Sequence, residues 1–504
     1  MAKVILMSGI RVFTKKCTCS CVCAFFFVPL RAKCILGELG QVMKNVDTYY
    51  FLGIGGIGMS ALARYFATKG FCVMGYDRVC SPLTQALEAE GIVVQYDDSL
   101  DVVRRLDKAF TVVVRTPAVP EDMTLCAWLR EQGFTICKRA EVLGTITRSE
   151  RALCVAGTHG KTTTSTMLAH ILYQSHVGAN AFLGGIANNY GTNLLLDDVS
   201  DLVVVEADEF DRSFHHLNPY ISVITSMDPD HLDVYGTEQA YCDSFVHYAS
   251  LVQHALVVKS DLTDKVKGGR LKARVYTYSV GEQADFYADN VCVEEGAIRF
   301  DFHTPEMVVA GVQLGVPVWV NIENAVAAMA VAWLMGATTE ELRMGISTFS
   351  GVYRRFNIHV NTPHVAYVDD YAHHPKELRA TIESIRRLYP ERYVIGVFQP
   401  HLYSRTRDFA PAFVEVLNQL DEVALLPIYP AREEPIEGVT SEWLLQQLQA
   451  KRALVLPAIL PQYLRERVKT LVAQDKHVVV ITMGAGDIDR QVTEITNKLT
   501  NKIL

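Results

Sequence analysis

The chain has 504 residues, 49% of them hydrophobic and 21% charged, with a formal net charge of −8. That length suits about three domains with cores of their own. The acidic balance excludes the global basic field that a nucleic-acid backbone needs, so nucleic acid is not an expected partner.

Five of the 12 cysteines (Cys17, Cys19, Cys21, Cys23 and Cys34) crowd residues 1–42, behind Lys15 and Lys16. The apolar run from Val22 to Leu30 is too short to span a bilayer, and no membrane insertion is expected. A poor targeting signal and a metal tract are two readings of this Cys-rich extension. A start-site artefact is the third, because Met43 is followed closely by a clean strand. Residues 1–42 are therefore set outside the fold argument. The other cysteines are scattered without a CxxC pair and read as small buried hydrophobes of a reducing cytoplasm.

From Asp47 short apolar runs alternate with amphipathic stretches. TYYFLGIGG reads as strand and turn, MSALARYFATKG as helix, and FCVMGYD as strand, the alternation of parallel α/β layers. The pattern passes through Thr111–Val114 and closes near Glu141–Arg148. A second unit opens with Ala152–Ala156, includes strands at Leu202–Val205 and Ile221–Thr225, and runs to about Gly351. A third begins near Phe356, with strands around Ala366–Asp369, Tyr393–Phe398, Glu422–Leu426 and His477–Thr482. The expected class is α/β, in three consecutive domains.

The first motif, GIGGIG at 53–58, follows a strand and opens a helix, with Asp77 ending the next strand. Glycines there allow a tight turn and close approach of a diphosphate to a helix N-terminus. A dinucleotide such as NAD, a nucleotide-sugar and a purely structural turn all remain readings of it. The run AGTHGKTTT at 156–164 is more specific. Its backbone N–H groups can converge on phosphate oxygens, Lys161 adds a point charge, and Thr162 offers a hydroxyl to Mg²⁺. It is shorter than the common GxxxxGK[ST] loop, since Val155 stands where that pattern has glycine.

Two acidic loops follow later strands. LVVVEADEFD ends a strand at Glu206, where a carboxylate can meet Mg²⁺ held at the phosphate loop. MDPDHLD supplies Asp228, Asp230, His231 and Asp233, either a solvated helix-capping turn or a second metal position with His231 as a nitrogen ligand. Asn321 and Asn324 share a helix face at i, i+3 spacing and can read an adenine edge or cap a helix. Arg354 and Arg355 lie at a domain boundary within reach of a phosphate. VDDYAHHP emerges from a strand end, and in FQPHLYSRTRDF Arg405 can hold a carboxylate.

In order, GIGGIGMS, TPAV, RAE, AGTHGKTTT, EADE, DHLDVYG, NIENA, RRF, DDYAHHP, FQPHLYSRT, IYPAREEPIEGV and GAGDI resemble one family, the Mur ligases of peptidoglycan synthesis. The resemblance covers about residues 47–490. It implies a Rossmann-like N-terminal domain for a uridine-diphosphate sugar at 43–147 and a P-loop ATPase-type domain with a mainly parallel sheet at 148–353. A Rossmann-like C-terminal domain for the amino acid would occupy 354–504. Gly55, Gly56, Ile57 and Gly58 would meet the sugar nucleotide's diphosphate, with Asp77, Thr116 and Ala118 lining the same site. Gly157, Thr158, His159, Gly160, Lys161, Thr162 and Thr163 would hold the ATP phosphates. Asn321 and Asn324 would meet adenine, and Arg355 and Asp370 would reach ATP from the far side. Thr162, Glu206 and His231 would surround Mg²⁺, with Lys161, Glu206 and His231 as the catalytic set. Tyr371, His373 and Arg405 would lie near the incoming amino acid. Val320 stands where the family usually has histidine, and Leu402 where it commonly has arginine.

The implied reaction joins L-alanine to the lactyl carboxylate of UDP-N-acetylmuramate through an acyl phosphate made from ATP, in the cytoplasm, by a monomer or homodimer. A related recycling reaction with a murein tripeptide is the alternative. An NAD-dependent dehydrogenase is a distant one that leaves the phosphate-loop motifs idle.

Overall fold

The computed structural model describes residues 46–268, 270–294, 297–431 and 433–500, so the Cys-rich extension at 1–42 lies outside the described residues. Three sheets follow one another along the chain. The first has five strands, all parallel, in the order Val93–Gln95, Cys72–Tyr76, Thr48–Leu52, Thr111–Arg115, Thr135–Lys138. Its strand order reverses beside Thr48–Leu52, which opens a crevice at the C-terminal end of that strand. The glycine turn at 53–58 sits there and leads into helix Ile57–Thr68, whose Met59, Leu62, Tyr65 and Phe66 are buried.

The second sheet has ten strands. Strand Arg151–Ala156 runs in its middle, parallel to Pro219–Ile224 on one side and Leu202–Ala207 on the other. The sheet is mainly parallel, but Phe286–Glu294, Ala297–His303 and Val308–Gln313 extend one end as an antiparallel meander, and Thr192–Leu195 pairs antiparallel at the other end. Sequence patterning left that meander unassigned. Its exposed edge alternates (Val308 exposed, Val309 buried), as expected for a sheet with one solvated face. Two helices cover the parallel part, Lys161–Gln174 and Val320–Leu334. In the second, Ala325, Ala327, Ala328 and Ala330 are all buried, and such small side chains let helix and sheet approach closely.

The third sheet has six strands, in the order Asn357–Asn361, Val365–Asp370, Val478–Met483, Tyr393–Phe398, Glu422–Leu425, Lys451–Leu454. All its pairs are parallel except the first. The four strands expected from sequence are present, joined by the two edge strands Asn357–Asn361 and Lys451–Leu454. Side-chain contacts cross both junctions. Tyr65 meets Phe182 between the first two sheets, with ring centroids 5.3 Å apart, and the Arg387 guanidinium covers Trp319 at 4.4 Å between the last two. Among the described residues no helix is long and apolar enough to cross a membrane.

Candidate active site

The phosphate loop is set by backbone conformations that only glycine takes easily. Gly157 has φ +139° and Gly160 φ +81°, and a side chain on either would collide with the strand end at Thr225 or come within 2.8 Å of Asn324 Oδ1. Gly160 then starts helix Lys161–Gln174 with no side-chain cap, leaving its first N–H groups facing the loop. The rest of the loop is pinned to the segment after strand Pro219–Ile224. Thr225 Oγ1 donates to His159 O at 2.5 Å, the His159 amide donates to Ser226 Oγ at 2.7 Å, and Thr158 Oγ1 donates to Asp228 O at 2.7 Å.

Lys161 turns back over this loop. Its ammonium donates to Gly157 O at 2.6 Å and lies 2.7 Å from Glu209 Oε2, a carboxylate only 2% exposed. Burial works against the lysine's charge, but Glu209, Glu206 and Asp208 raise its pKa, so it stays protonated. Burial, with the charge of Asp208 beside it, pushes Glu209 up to about 7 despite the lysine. Three carboxylates on one turn thus gather round one cation. Sequence reading had singled out only Glu206 of the three. Glu209 and Asp208 stand in the same EADE run, and a buried counter-charge for Lys161 was the signal available.

Two adjacent glycines bring the next two predicted residues together. In strand Asn180–Ala187, a side chain at Gly184 would collide with the Glu206 carboxylate, and one at Gly185 would sit 3.2 Å from Thr162 Cγ2. Glu206 Oε2 is buried with no hydrogen-bond partner. His231 is held in a left-handed conformation (φ +53°) with its ring edge-on to Phe210, and burial lowers its pKa, leaving a neutral imidazole with a lone pair. A hydroxyl, an orphaned carboxylate oxygen and a neutral imidazole near Lys161 suit a divalent cation that prefers oxygen. Among the described residues no group of three His, Cys, Asp or Glu side chains is arranged as a metal cluster.

Two cavities bear on this region, one beside the acidic turn after strand Leu202–Ala207 and one lined by the loop itself. One, of about 120 Å³, opens toward the first domain, and Ile57 and Gly58 face Gly184, Glu206 and Asp208 across it. Elsewhere in the glycine turn the carboxylate of Asp77 accepts the Gly55 amide at 2.8 Å, and Thr116 lies against Gly53. Ala118 is exposed nearby, after the strand Thr111–Arg115.

The other cavity, of about 270 Å³, lies between the central and third domains. His159, Gly160, Thr163, Asn321 and Asn324 face Arg355 and Asp370 across it. Asn324 donates to Asn321 Oδ1 at 3.1 Å and accepts from Thr164 Oγ1 at 3.1 Å, so the asparagine pair also braces the phosphate-loop helix. Burial pushes Asp370 up to about 6, although Thr381 and Arg355 work the other way.

Ion pairs hold the third domain to the central one at the mouth of this cavity. Lys376 Nζ meets Asp228 Oδ1 at 2.5 Å, and Arg405 lies 3.5 Å from Asp230. The His159 ring stands 3.3 Å from Glu377 Oε1 and 3.5 Å from Asp228 Oδ2. Burial opposes ionisation of Glu377, yet His373, His159 and Arg355 hold it well below the usual carboxylate range. Tyr371 and His373 pack edge to face at 5.3 Å, and His401 follows at 5.9 Å. Tyr371, His373 and Arg405 therefore form one patch beside the phosphate loop. Leu402 sits in the same segment with φ +69°, its amide bonded to Tyr429 O at 2.9 Å. Asp228, Lys376 and Glu377 were not assigned to the third-domain contact from sequence, because their partners are far away in the chain.

Comparison with known proteins finds matches along nearly the whole chain. Three family models fit in order: "Mur ligase family, catalytic domain" at 48–151, "Mur ligase middle domain" at 155–332 and "Mur ligase, glutamate ligase domain" at 354–486. The chain is 52% identical over 467 residues to a UDP-N-acetylmuramate–L-alanine ligase of Parabacteroides distasonis, covering 92% of this chain and 99% of that one. It is 53% identical over 466 residues to the protein of the same name from Porphyromonas gingivalis, covering 91% and 99%. Among solved structures it resembles the UDP-N-acetylmuramate-alanine ligase of Thermotoga maritima, with TM-score 0.74 and 25% identity over 90% of this chain and 99% of that one. A murein peptide ligase of Psychrobacter arcticus shares the fold, with TM-score 0.64 and 20% identity over 90% and 99%.

Proposed function

The chain belongs to the Mur ligase family, and from that premise we propose that it joins L-alanine to the lactyl carboxylate of UDP-N-acetylmuramate, converting ATP to ADP and phosphate. The observation that carries this reading is a phosphate loop that lines one cavity, with a second cavity beside the neighbouring acidic residues Glu206 and Asp208. One cavity is walled by the first domain's glycine turn and the other by the third domain.

A free carboxylate resists attack by an amine, because oxide would have to leave. Transfer of the γ-phosphoryl of ATP to the carboxylate makes an acyl phosphate, and phosphate is a good leaving group. The amine of alanine then adds to the carbonyl carbon and phosphate departs. Phosphoryl transfer asks the protein mainly for alignment and charge neutralisation.

Lys161 supplies a fixed positive charge at the loop, and exchanges Glu209 for phosphate oxygens when nucleotide enters. The amides of Gly157, Gly160, Thr162 and Thr163 offer further donors, while those of Thr158 and His159 are tied to Ser226 and keep the loop in shape. Arg355 approaches the same phosphates from the third domain, while Asn321 and Asn324 face the adenine side of the cavity. Mg²⁺ fits Thr162, Glu206 and His231, and when bound it neutralises charge on the transferring phosphoryl group. Gly55, Gly56, Ile57 and Gly58, with Asp77, Thr116 and Ala118, take the sugar nucleotide. Tyr371, His373 and Arg405 receive alanine, with Arg405 passing from Asp230 to the amino-acid carboxylate. The ion pairs between the central and third domains hold the third domain over the cavity, which limits the access of water to an acyl phosphate. The reaction places the protein in the cytoplasm, where ATP and the sugar nucleotide are available.

The test is ADP release with each substrate withheld in turn. ADP should form only when UDP-N-acetylmuramate and alanine are both present. Release with murein tripeptide and none with alanine would overturn the assignment.

A further inference from the structure

The first and central domains meet at a charged junction that the chemistry above leaves unused. Arg139 opens helix Arg139–Ser149, and its guanidinium reaches out of its own domain to donate from Nη2 to Asp208 Oδ2 at 2.8 Å. Its Nη1 stands over the first turn of helix Ile57–Thr68, where a Cβ on Gly58 would come within 2.5 Å of it. No side chain caps that helix, so its first N–H groups and its positive dipole end face the same space as the guanidinium. The space is the 120 Å³ cavity whose wall also carries the unpartnered Glu206 oxygen.

Asp208 fixes one edge of the fork. Its carboxylate lines the cavity together with Arg139 and accepts from Nη2, which holds that side of the guanidinium in place. With one edge held, the planar guanidinium presents the other toward the cavity, the arrangement suited to a phosphate or carboxylate.

We propose that Arg139 binds an anionic group of the sugar nucleotide, with Asp208 as the positioning residue that aims it. The proposal rests on the ligase reading. That substrate carries two such groups, the diphosphate and the lactyl carboxylate, and either would lie between the glycine turn and Glu206.

The test measures KM for UDP-N-acetylmuramate and for ATP separately in the full chain and in Arg139→Gln, Arg139→Lys and Asp208→Asn. Binding of UDP-N-acetylmuramate and of UDP-N-acetylglucosamine, which lacks the carboxylate, is titrated alongside. Arg139→Gln should raise the sugar-nucleotide KM at least tenfold and leave the ATP KM within about threefold. Arg139→Lys should recover part of the loss, and Asp208→Asn should shift the same KM by a smaller factor. Weakened binding of both sugars assigns the diphosphate, and weakened binding of the muramate alone assigns the carboxylate. The proposal is overturned if both KM values rise together, or if neither moves in variants that melt like the wild type. Should Arg139→Gln not fold, Arg139→Lys decides it, an unmoved sugar-nucleotide KM counting against. Absence of wild-type turnover would instead sink the ligase reading.

Discussion

The glycine turn at 53–58 and the phosphate loop at 157–160 share one plan, a parallel strand, a bend that needs glycine and a helix whose N-terminus no side chain caps. They differ in charge. The first turn gives one amide to a carboxylate, Asp77, and carries no cation of its own. The second carries Lys161 and encloses it with Glu206, Asp208 and Glu209. A bare turn can hold a diphosphate by its N–H groups and dipole, whereas moving a phosphoryl group requires a charge that stays in place as oxygens shift. The same backbone thus serves as a grip in one domain and as a transfer site in the next.

Changes at each turn should separate those roles. Lys161→Ala should lower ADP release at least a thousandfold in a coupled assay, while binding of UDP-N-acetylmuramate stays within about threefold. Gly160→Ala places a side chain at φ +81° and 2.8 Å from Asn324 Oδ1. A left-handed residue costs about 1–2 kcal/mol, so the ATP KM should rise roughly tenfold or more with the sugar-nucleotide KM unchanged. Gly55→Ala should do the converse more mildly. Its Cβ would meet Thr84 Cγ2 at 2.7 Å and Asp77 Oδ2 at 2.8 Å, and steady-state kinetics should show a several-fold rise for the sugar nucleotide only. Equal effects of both glycine changes on both substrates would break the comparison.

A change outside both turns sets its floor. Glu150 lies between the two domains, and burial pushes it up to about 7 despite Lys69. A carboxyl whose folded pKa is raised prefers its proton in the folded state. Its stabilising contribution is therefore present below the unfolded value near 4.5 and is lost as pH rises toward 7. Glu150→Gln should melt close to the wild type at pH 5 and a few degrees higher at pH 8, as followed by circular dichroism, with both KM values unchanged.

What could be read from sequence was what is local. Each strand, its glycine turn and the start of its helix lie within about a dozen residues (48–57 and 151–161), so strand, bend and N-terminus are visible together, and the three-sheet order follows from the repeated alternation. The meander from Phe286 to Gln313 was missed although Ala297–His303 alternates strictly, with Ile298, Phe300 and Phe302 buried, and nothing local says that these strands extend the central sheet. The charged junctions were missed for another reason. Arg139 with Asp208, and Lys376 with Asp228, are 69 and 148 residues apart, and nothing near either residue names its partner. Glu209 was overlooked beside Glu206 because a strand-end acid is an obvious metal ligand, while a buried counter-ion shows itself only once Lys161 is seen to fold back.

The central claim is that the γ-phosphoryl group passes onto the sugar's carboxylate at this loop. Turnover of UDP-N-acetylmuramate labelled with ¹⁸O in its lactyl carboxylate tests that transfer directly. The account predicts one labelled oxygen in the phosphate released, detected by mass spectrometry, because the bridging oxygen of an acyl phosphate leaves with phosphorus. Phosphate free of label, formed together with the amide product, would contradict it.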